Sequence, residues 1–181
     1  SVMCVSDYNQ DGVLLVDIAG TLVVDFNDAG PLGPGPFIQK IVRGYKTSFM
    51  LKLFGYGDAD MINFFDEDGA RIEPVAALKM PIGQSISRVA DTYGVQYIIP
   101  FSYFHQYQRA DSAWVRQYAT PLEDYRIGFE SEERELLPAF TRYDMARKTF
   151  EEINPPATSD TVIDPKEFGD DWSELLTDRD K

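Results

Sequence analysis

The chain has 181 residues, of which 44% are hydrophobic and 13% aromatic, enough apolar surface for the core of one folded domain. Its 30 acidic and 17 basic side chains give a net charge of −13, which disfavours binding to nucleic acids and to anionic membranes. No apolar run approaches the roughly 20 residues that span a bilayer, and no signal peptide opens the chain. The single cysteine, Cys4, excludes an internal disulfide framework, so we expect a cytoplasmic protein.

A strand pattern begins almost at the first residue, Ser1, and covers residues 2–5. The next segment, DYNQDG at 7–12, matches the first half of a calcium-binding loop. The twelfth position of that loop is Ile18, however, where a bidentate Glu is needed. We therefore predict a β-hairpin with its turn at Asn9–Gly12, because Asp and Asn bond their own backbone and Gly tolerates positive φ.

Two further β-rich runs, at 13–18 and 21–26, precede a loop that contains Asp28. After the dense Gly and Pro of residues 32–36, apolar residues recur at helical spacing and predict a short helix over 36–44. Asp28 needs no function as a turn residue, since Asn-Asp after a strand is ordinary loop chemistry. Its place directly after a strand is nevertheless also typical of a site residue.

The following elements alternate between strand and helix. Residues 48–55 predict a strand, and acidic residues cluster at 57–60 just beyond it. Apolar residues mark one helical face over 74–93, where Pro81 and Gly83 are expected to break or kink the helix. This order implies helices packed on a sheet.

Gly94 should end that helix and lead into a β-branched and aromatic strand that stops near Phe101. The polar loop beyond this strand contains the only histidine of the chain. Sheets with helical connections usually bind ligands past the carboxyl ends of their strands, so this loop is a candidate site. The alternative is that His105 is a packing residue among nearby tyrosines. The candidate residues in the loop are Ser102, Tyr103, His105, Tyr107 and Arg109.

Three helical segments are predicted in the remaining chain: a short helix through 113–118, a polar helix over 130–140 and helical spacing over 143–153. Residues 157–181 are polar and acidic apart from a few apolar residues, including Trp172. We expect this extension to wrap on the surface of a single domain that spans residues 1–156.

The segments LVVDFNDAG, FMLKLFGYGDAD and VQYIIPFSYFHQYQR, in this order, resemble the C-terminal half of metallo-β-lactamase-fold proteins, in the branch of lactonase-like hydrolases and sugar-nucleotide hydroxylase-like proteins. The resemblance covers about residues 10–110. It implies an α+β fold, half of a four-layer αββα sandwich, with a mixed sheet and helices on one face. It also implies that Asp28 bridges two metal ions and that His105 is a terminal metal ligand.

The leading signature of that family, a His-x-His-x-Asp-His cluster, is absent from a chain with one histidine. A zinc or iron site needs three or more ligands, so Asp28 and His105 are too few. We expect this chain to be the second half of a larger or split protein, an expectation that fits the start at Ser1 in a strand. The sheet face that the missing N-terminal half or companion chain should cover would be exposed, and would cause association with that half or as a homodimer.

In a completed site the metals would lower the pKa of a bound water and polarise a small-molecule substrate. Tyr103, Tyr107 and Arg109 are then the candidate catalytic or substrate-contacting residues. The resemblance favours a zinc pair and hydrolysis over iron and oxygen chemistry. The competing interpretation is a non-catalytic interaction domain that keeps the fold without the metals. Ser-His-Asp hydrolysis through His105 is weakly supported, since no G-x-S-x-G elbow is present.

Overall fold

The computed structural model describes residues 1–30, 32–56, 64–102, 104–155, 157 and 159–169. The α-helices in these ranges are α1 Gly35–Val42 and α2 Ile82–Tyr93. The strands are β1 Val2–Ser6, β2 Gly12–Ile18, β3 Thr21–Asn27, β4 Thr47–Leu53, β5 Tyr97–Phe101, β6 Glu135–Leu136, β7 Thr141–Asp144 and β8 Thr149–Glu152. Short 3-10 helices cover Val75–Leu78, Ala113–Tyr118, Leu122–Arg126 and Pro165–Phe168.

The first six strands form one mixed sheet in the order β1-β2-β3-β4-β5-β6, and β7 pairs with β8 in a separate hairpin. Neighbours are antiparallel from β1 to β3 and parallel from β3 to β6. Parallel neighbours need a crossover, which α1 supplies between β3 and β4 and α2 supplies between β4 and β5. This mixed architecture is consistent with the predicted α+β class.

The hydrophobic core lies between the sheet and the two helices. One row of paired residues crosses the sheet on this face, and each member is at most 4% exposed: Leu15, Val24, Met50, Ile98 and Leu136. Ile38 of α1 and Ile86 of α2 are fully buried in the same cluster. The side-chain period of two places the alternate residues of each strand on the opposite face.

The β7–β8 hairpin packs on that opposite face. Tyr143 of β7 lies with its ring centroid 4.9 Å from that of Phe49, and Phe150 of β8 lies 4.8 Å from Tyr97. Such aromatic pairs add stabilisation beyond the area that they bury. The hairpin therefore covers the part of this face around Phe49 and Tyr97.

Several sequence predictions are confirmed. Residues Asp7–Asp11 connect β1 and β2 as a hairpin, with Gln10 rather than glycine in the left-handed region at φ 71°. The structure also contains α1, the interruption before α2 at Pro81, and Gly94 as a left-handed C-cap with φ 73°. Gly83, however, lies inside α2 and does not break it. A side chain there would collide with the backbone of Phe129, so glycine allows the two segments to approach closely.

Two predicted helices are wrong. Residues 130–140 are extended and contribute β6, because Leu136 is buried beside Ile98 at the sheet edge instead of on a helix face. Residues 143–153 form most of the β7–β8 hairpin. The Asp144 carboxylate accepts hydrogen bonds from two backbone amides in its turn, and Lys148 is left-handed at φ 54°. The spacing of Tyr143 and Phe150 that suggests a helix instead places both rings on one side of a hairpin.

Part of the C-terminal extension contacts the rest of the chain. The Ile163 amide donates to the Gln108 carbonyl at 2.7 Å, and the Ala110 amide donates to the Ile163 carbonyl at 2.9 Å. Arg116 also donates to the carbonyls of Asp160 and Thr161. Trp172 and the rest of 170–181 lie outside the described residues. Among the helices that are described, none has the length and apolar character needed to cross a bilayer.

Candidate functional site

The parallel strands β3, β4 and β5 end at the same edge of the sheet, and a left-handed residue lies at or just after the end of each. These are Asn27 at φ 45°, Gly55 at φ 93° and Ser102 at φ 65°. A non-glycine residue pays about 1 to 3 kcal/mol for such a conformation, and strained residues of this kind cluster at functional sites. This edge, here called the carboxyl edge, is therefore the candidate site.

Asp28 follows β3 directly at the carboxyl edge. One of its carboxylate oxygens accepts a 2.9 Å hydrogen bond from the Asn27 side-chain amide. Lys52, near the end of β4, donates to the Ala29 carbonyl at 2.7 Å and lies 5.5 Å from the centroid of the Phe26 ring. Burial lowers the pKa of Lys52, while the negative charges of Asp28 and Asp7 act in the opposite direction. The Lys52 ammonium group therefore interacts electrostatically with the predicted bridging carboxylate.

Asp7 fixes the loop that contains Asp28. Only 6% of Asp7 is exposed, and its carboxylate accepts hydrogen bonds from the amides of Asn9, Asp11 and Gly30 at 2.8, 3.0 and 2.8 Å. The bond from Gly30, with those from Asp11 and Asn9 and the charge of Lys52, lowers the pKa of Asp7, although its burial opposes the shift. The sequence indicates a local turn at this aspartate, but gives no sign of the contact with Gly30.

The loop after β4 is held by Tyr125 and Thr120, neither of which is a site residue predicted from the sequence. The Tyr125 hydroxyl donates to the Phe54 carbonyl at 2.8 Å, and the Tyr56 amide donates to the Thr120 hydroxyl oxygen at 2.8 Å. A Cβ at Gly55 would lie 2.7 Å from the Tyr125 hydroxyl oxygen, so glycine is required for this approach. No sequence signal connects residues so far apart in the chain.

The loop after β5 begins with Ser102 and contains His105. Phe104 anchors it, with its ring centroid 6.0 Å from that of Tyr125 and 5.8 Å from that of Phe140. His105 is exposed, and its ring centroid lies 6.0 Å from that of Tyr107. Tyr103, predicted to contact substrate, lies outside the described residues.

Tyr107 and Arg109, the other predicted substrate contacts, have structural partners. The Tyr107 carbonyl accepts a 2.7 Å hydrogen bond from Arg116 Nε, and its side chain packs against the buried Val115. Arg109 binds both carboxylate oxygens of Asp111, at 3.2 and 2.9 Å, and this contact lowers the pKa of Asp111. These contacts account for the local geometry of the two residues without a substrate, and their catalytic roles stay predictions.

Asp28 and His105 are only part of the ligand set that a metal site needs. Asp28 and His105 follow strands that are separated by β4, a distance of about 10 Å at the strand ends. In the described ranges, no three side chains of His, Cys, Asp or Glu are grouped so that they could hold a metal ion. A zinc or iron site requires at least three protein ligands, so these two residues do not fit a complete metal centre by themselves.

Comparison of the chain with models of protein families, with curated proteins and with solved structures found no significant match.

Proposed function

We propose that this chain is one half of a four-layer αββα sandwich of the metallo-β-lactamase type, and that it functions with a companion segment in a metal-dependent hydrolase. The companion segment is defined here as the polypeptide that carries the missing histidine cluster. The exposed Cys4 thiol suits a reducing, cytoplasmic compartment. The proposal is supported by one observation above all: the described part of the chain covers the sheet face opposite the helices only in part.

This face, here called the open face, carries exposed apolar side chains on its first two strands. Val2 is 71% exposed, Ile18 is 47% exposed and Leu14 is 38% exposed. The members of the open face are Val2, Cys4, Leu14, Val16, Ile18, Val23, Leu51 and Ile99. Contiguous apolar surface of this kind is typical of a surface that another element covers.

Within the proposal, Asp28 and His105 are two ligands of the divalent metal pair, and the companion segment supplies the others. Zinc is favoured over iron only by the family resemblance. Because the two residues do not form a complete site, we derive no reaction step from them. Tyr103, Tyr107 and Arg109 remain candidates for contacts with a small-molecule substrate.

The test uses the single histidine as a spectroscopic reporter. Cobalt(II) is titrated into the ¹⁵N-labelled full chain, and the imidazole nitrogens of His105 are followed together with the backbone amide of Asp28. The proposal predicts that both groups shift with the same weak apparent affinity. His105→Ala and Asp28→Asn should each abolish the shift at the other residue, while the exposed Asp68→Asn serves as the matched control. Independent shifts at the two residues would overturn the shared site.

A second candidate function is a non-catalytic interaction domain, and the position of Lys52 favours it. An ammonium group that interacts electrostatically with Asp28 opposes the binding of a dication at that carboxylate. The interaction domain requires the open face but not the metal. It is the better account if cobalt(II) does not bind and the open face still captures a polypeptide.

A further inference from the structure

The open face and the hairpin border a groove. It has a volume of about 210 Å³ and is lined from the sheet by Ile18, Val23 and Leu51, and from β7 by Thr141 and Tyr143. The groove lies at the boundary between the part of the sheet face under the hairpin and the uncovered part on β1 to β3. A further strand, placed beside β7 in the same layer as the hairpin, would fill the groove.

The edge of β7 that faces away from β8 can accept such a strand. The Ile153 amide donates to the Phe140 carbonyl, so residues 140 and 153 are a hydrogen-bonded pair of the hairpin. Hydrogen-bonded pairs alternate along an antiparallel ladder, so 142 and 151 are the next such pair. The backbone N–H and C=O groups of Thr141 and Tyr143 therefore point away from β8. In the described part of the chain, β7 pairs with no strand other than β8.

A second copy of this chain is a poor occupant. On the side of the hairpin that faces away from the sheet, Arg142 and Glu151 form a 3.1 Å ion pair, and their side chains are 66% and 65% exposed. Two copies could pair edge to edge through β7, with the sheet of one copy above the shared strand layer and the sheet of the other copy below it. In that arrangement the charged surface of each hairpin would lie against the apolar open face of the other copy. Burying such charges against apolar groups is costly.

The charge of the uncovered part of the sheet indicates what the occupant carries. Asp25 lies beside Leu14 on the open face. Residues 1–39, which supply β1 to β3, contain neither lysine nor arginine. A carboxylate on such a surface attracts a basic partner and repels an acidic one.

We propose that the edge of β7 and the open face bind an extended strand of a partner polypeptide, with alternating apolar residues and lysine or arginine at its ends. Its backbone would pair with Thr141 and Tyr143, and its apolar side chains would lie on Ile18 and Val23. This inference rests on the proposed function in one respect, because it describes how the companion segment would dock. Its test contains no metal, so failure of the metal site and failure of strand binding are separate results.

The probe is a fluorescent synthetic peptide, Lys-Thr-Val-Thr-Val-Thr-Val-Thr-Lys, titrated with the full chain and followed by fluorescence polarisation. Saturable binding is expected, and amide hydrogen exchange at Thr141 and Tyr143 should slow at least tenfold in the complex. Ile18→Lys should weaken binding about tenfold, because it places a charge in the groove. Val75→Lys adds the same charge at a residue that is 58% exposed on a separate 3-10 helix, and should have little effect.

Two control peptides separate strand pairing from simple attraction. A version with alternate N-methylated amides cannot pair with a strand edge, and should bind at least tenfold more weakly. A version with terminal glutamates tests the charge, and should also bind more weakly. No saturable binding of the lysine peptide, or equal binding of the N-methylated version, would overturn the proposal. A face already covered by another part of the chain would give the first of these results.

Discussion

The backbone amide of Gly30 donates a 2.8 Å hydrogen bond to the Asp7 carboxylate, which joins the β1–β2 turn to the loop after β3. The same carboxylate organises its own turn through Asn9 and Asp11. One buried acidic group therefore fixes two loops, and one of them carries Asp28. The position of Asp28 at the carboxyl edge depends on a residue on the first hairpin.

Asp7→Asn should lower stability at neutral pH, since an amide cannot accept the same bonds as a carboxylate and also brings an N–H that needs a partner. The hydrogen bonds from the loop amides hold the pKa of Asp7 below its ordinary value, so the unfolded chain binds more protons than the folded chain in the acid range. The contribution of Asp7 is present well above pH 3.8 and is lost as the pH falls through the folded pKa. Urea denaturation from pH 7 to pH 2 should thus show the variant and the wild type converging in acid. The exposed Asp68→Asn is the control, and a constant difference at every pH would contradict the assignment.

Calcium should not stabilise the chain beyond the effect of ionic strength. The loop lacks a carboxylate at its twelfth position, and the Asp7 carboxylate is already engaged with backbone amides. Thermal melts in calcium chloride and in magnesium chloride of equal ionic strength make the comparison. Saturable stabilisation at micromolar calcium would show that the turn is a binding loop after all.

Tyr125→Phe should lower the free energy of unfolding by about 2 kcal/mol, because it leaves the buried Phe54 carbonyl without its hydroxyl donor. Tyr125 is 2% exposed, whereas Tyr8 is 80% exposed, so Tyr8→Phe is a matched control with little expected effect. Chemical denaturation measures both variants. Equal stability of Tyr125→Phe and the wild type would mean that the bond does not hold the loop after β4.

Lys52→Met should raise the affinity for cobalt(II) several-fold if the metal binds at Asp28, because it removes a positive charge beside that carboxylate. Methionine keeps the packing of the aliphatic stem on Phe26. Lys52→Arg retains the charge and should leave the affinity close to the wild-type value. The cobalt titration followed at His105 gives the comparison, and identical affinities for all three proteins would place the metal elsewhere.

The open face should bind an apolar dye. Fluorescence of the uncharged dye Nile red should rise on addition of the chain, and Leu14→Lys should reduce this signal more than Val75→Lys does. Sedimentation velocity over a range of concentrations reports whether two copies also associate. A monomer at high concentration that binds no dye would contradict the half-sandwich interpretation.

The alternation of apolar residues and the turn chemistry determined much of this fold locally. The hairpin turn near Asn9, helix α1, the interruption at Pro81 and the cap at Gly94 each depend on residues that are close in sequence. Leu136 and Leu137 are the adjacent apolar residues of the segment 130–140, and they are 2% and 4% exposed. Their secondary structure was predicted wrongly as a helix, since a short apolar pair fits a helix or a strand equally well.

Only the tertiary structure decided the features that join distant segments. Tyr143 and Phe150 have a spacing compatible with a helix, but packing on Phe49 and Tyr97 favours a hairpin. The bond from Gly30 to Asp7 likewise has no local cause. Sequence periodicity determines which side chains an element can bury, whereas the surface against which they are buried depends on how the sheet brings separate segments together.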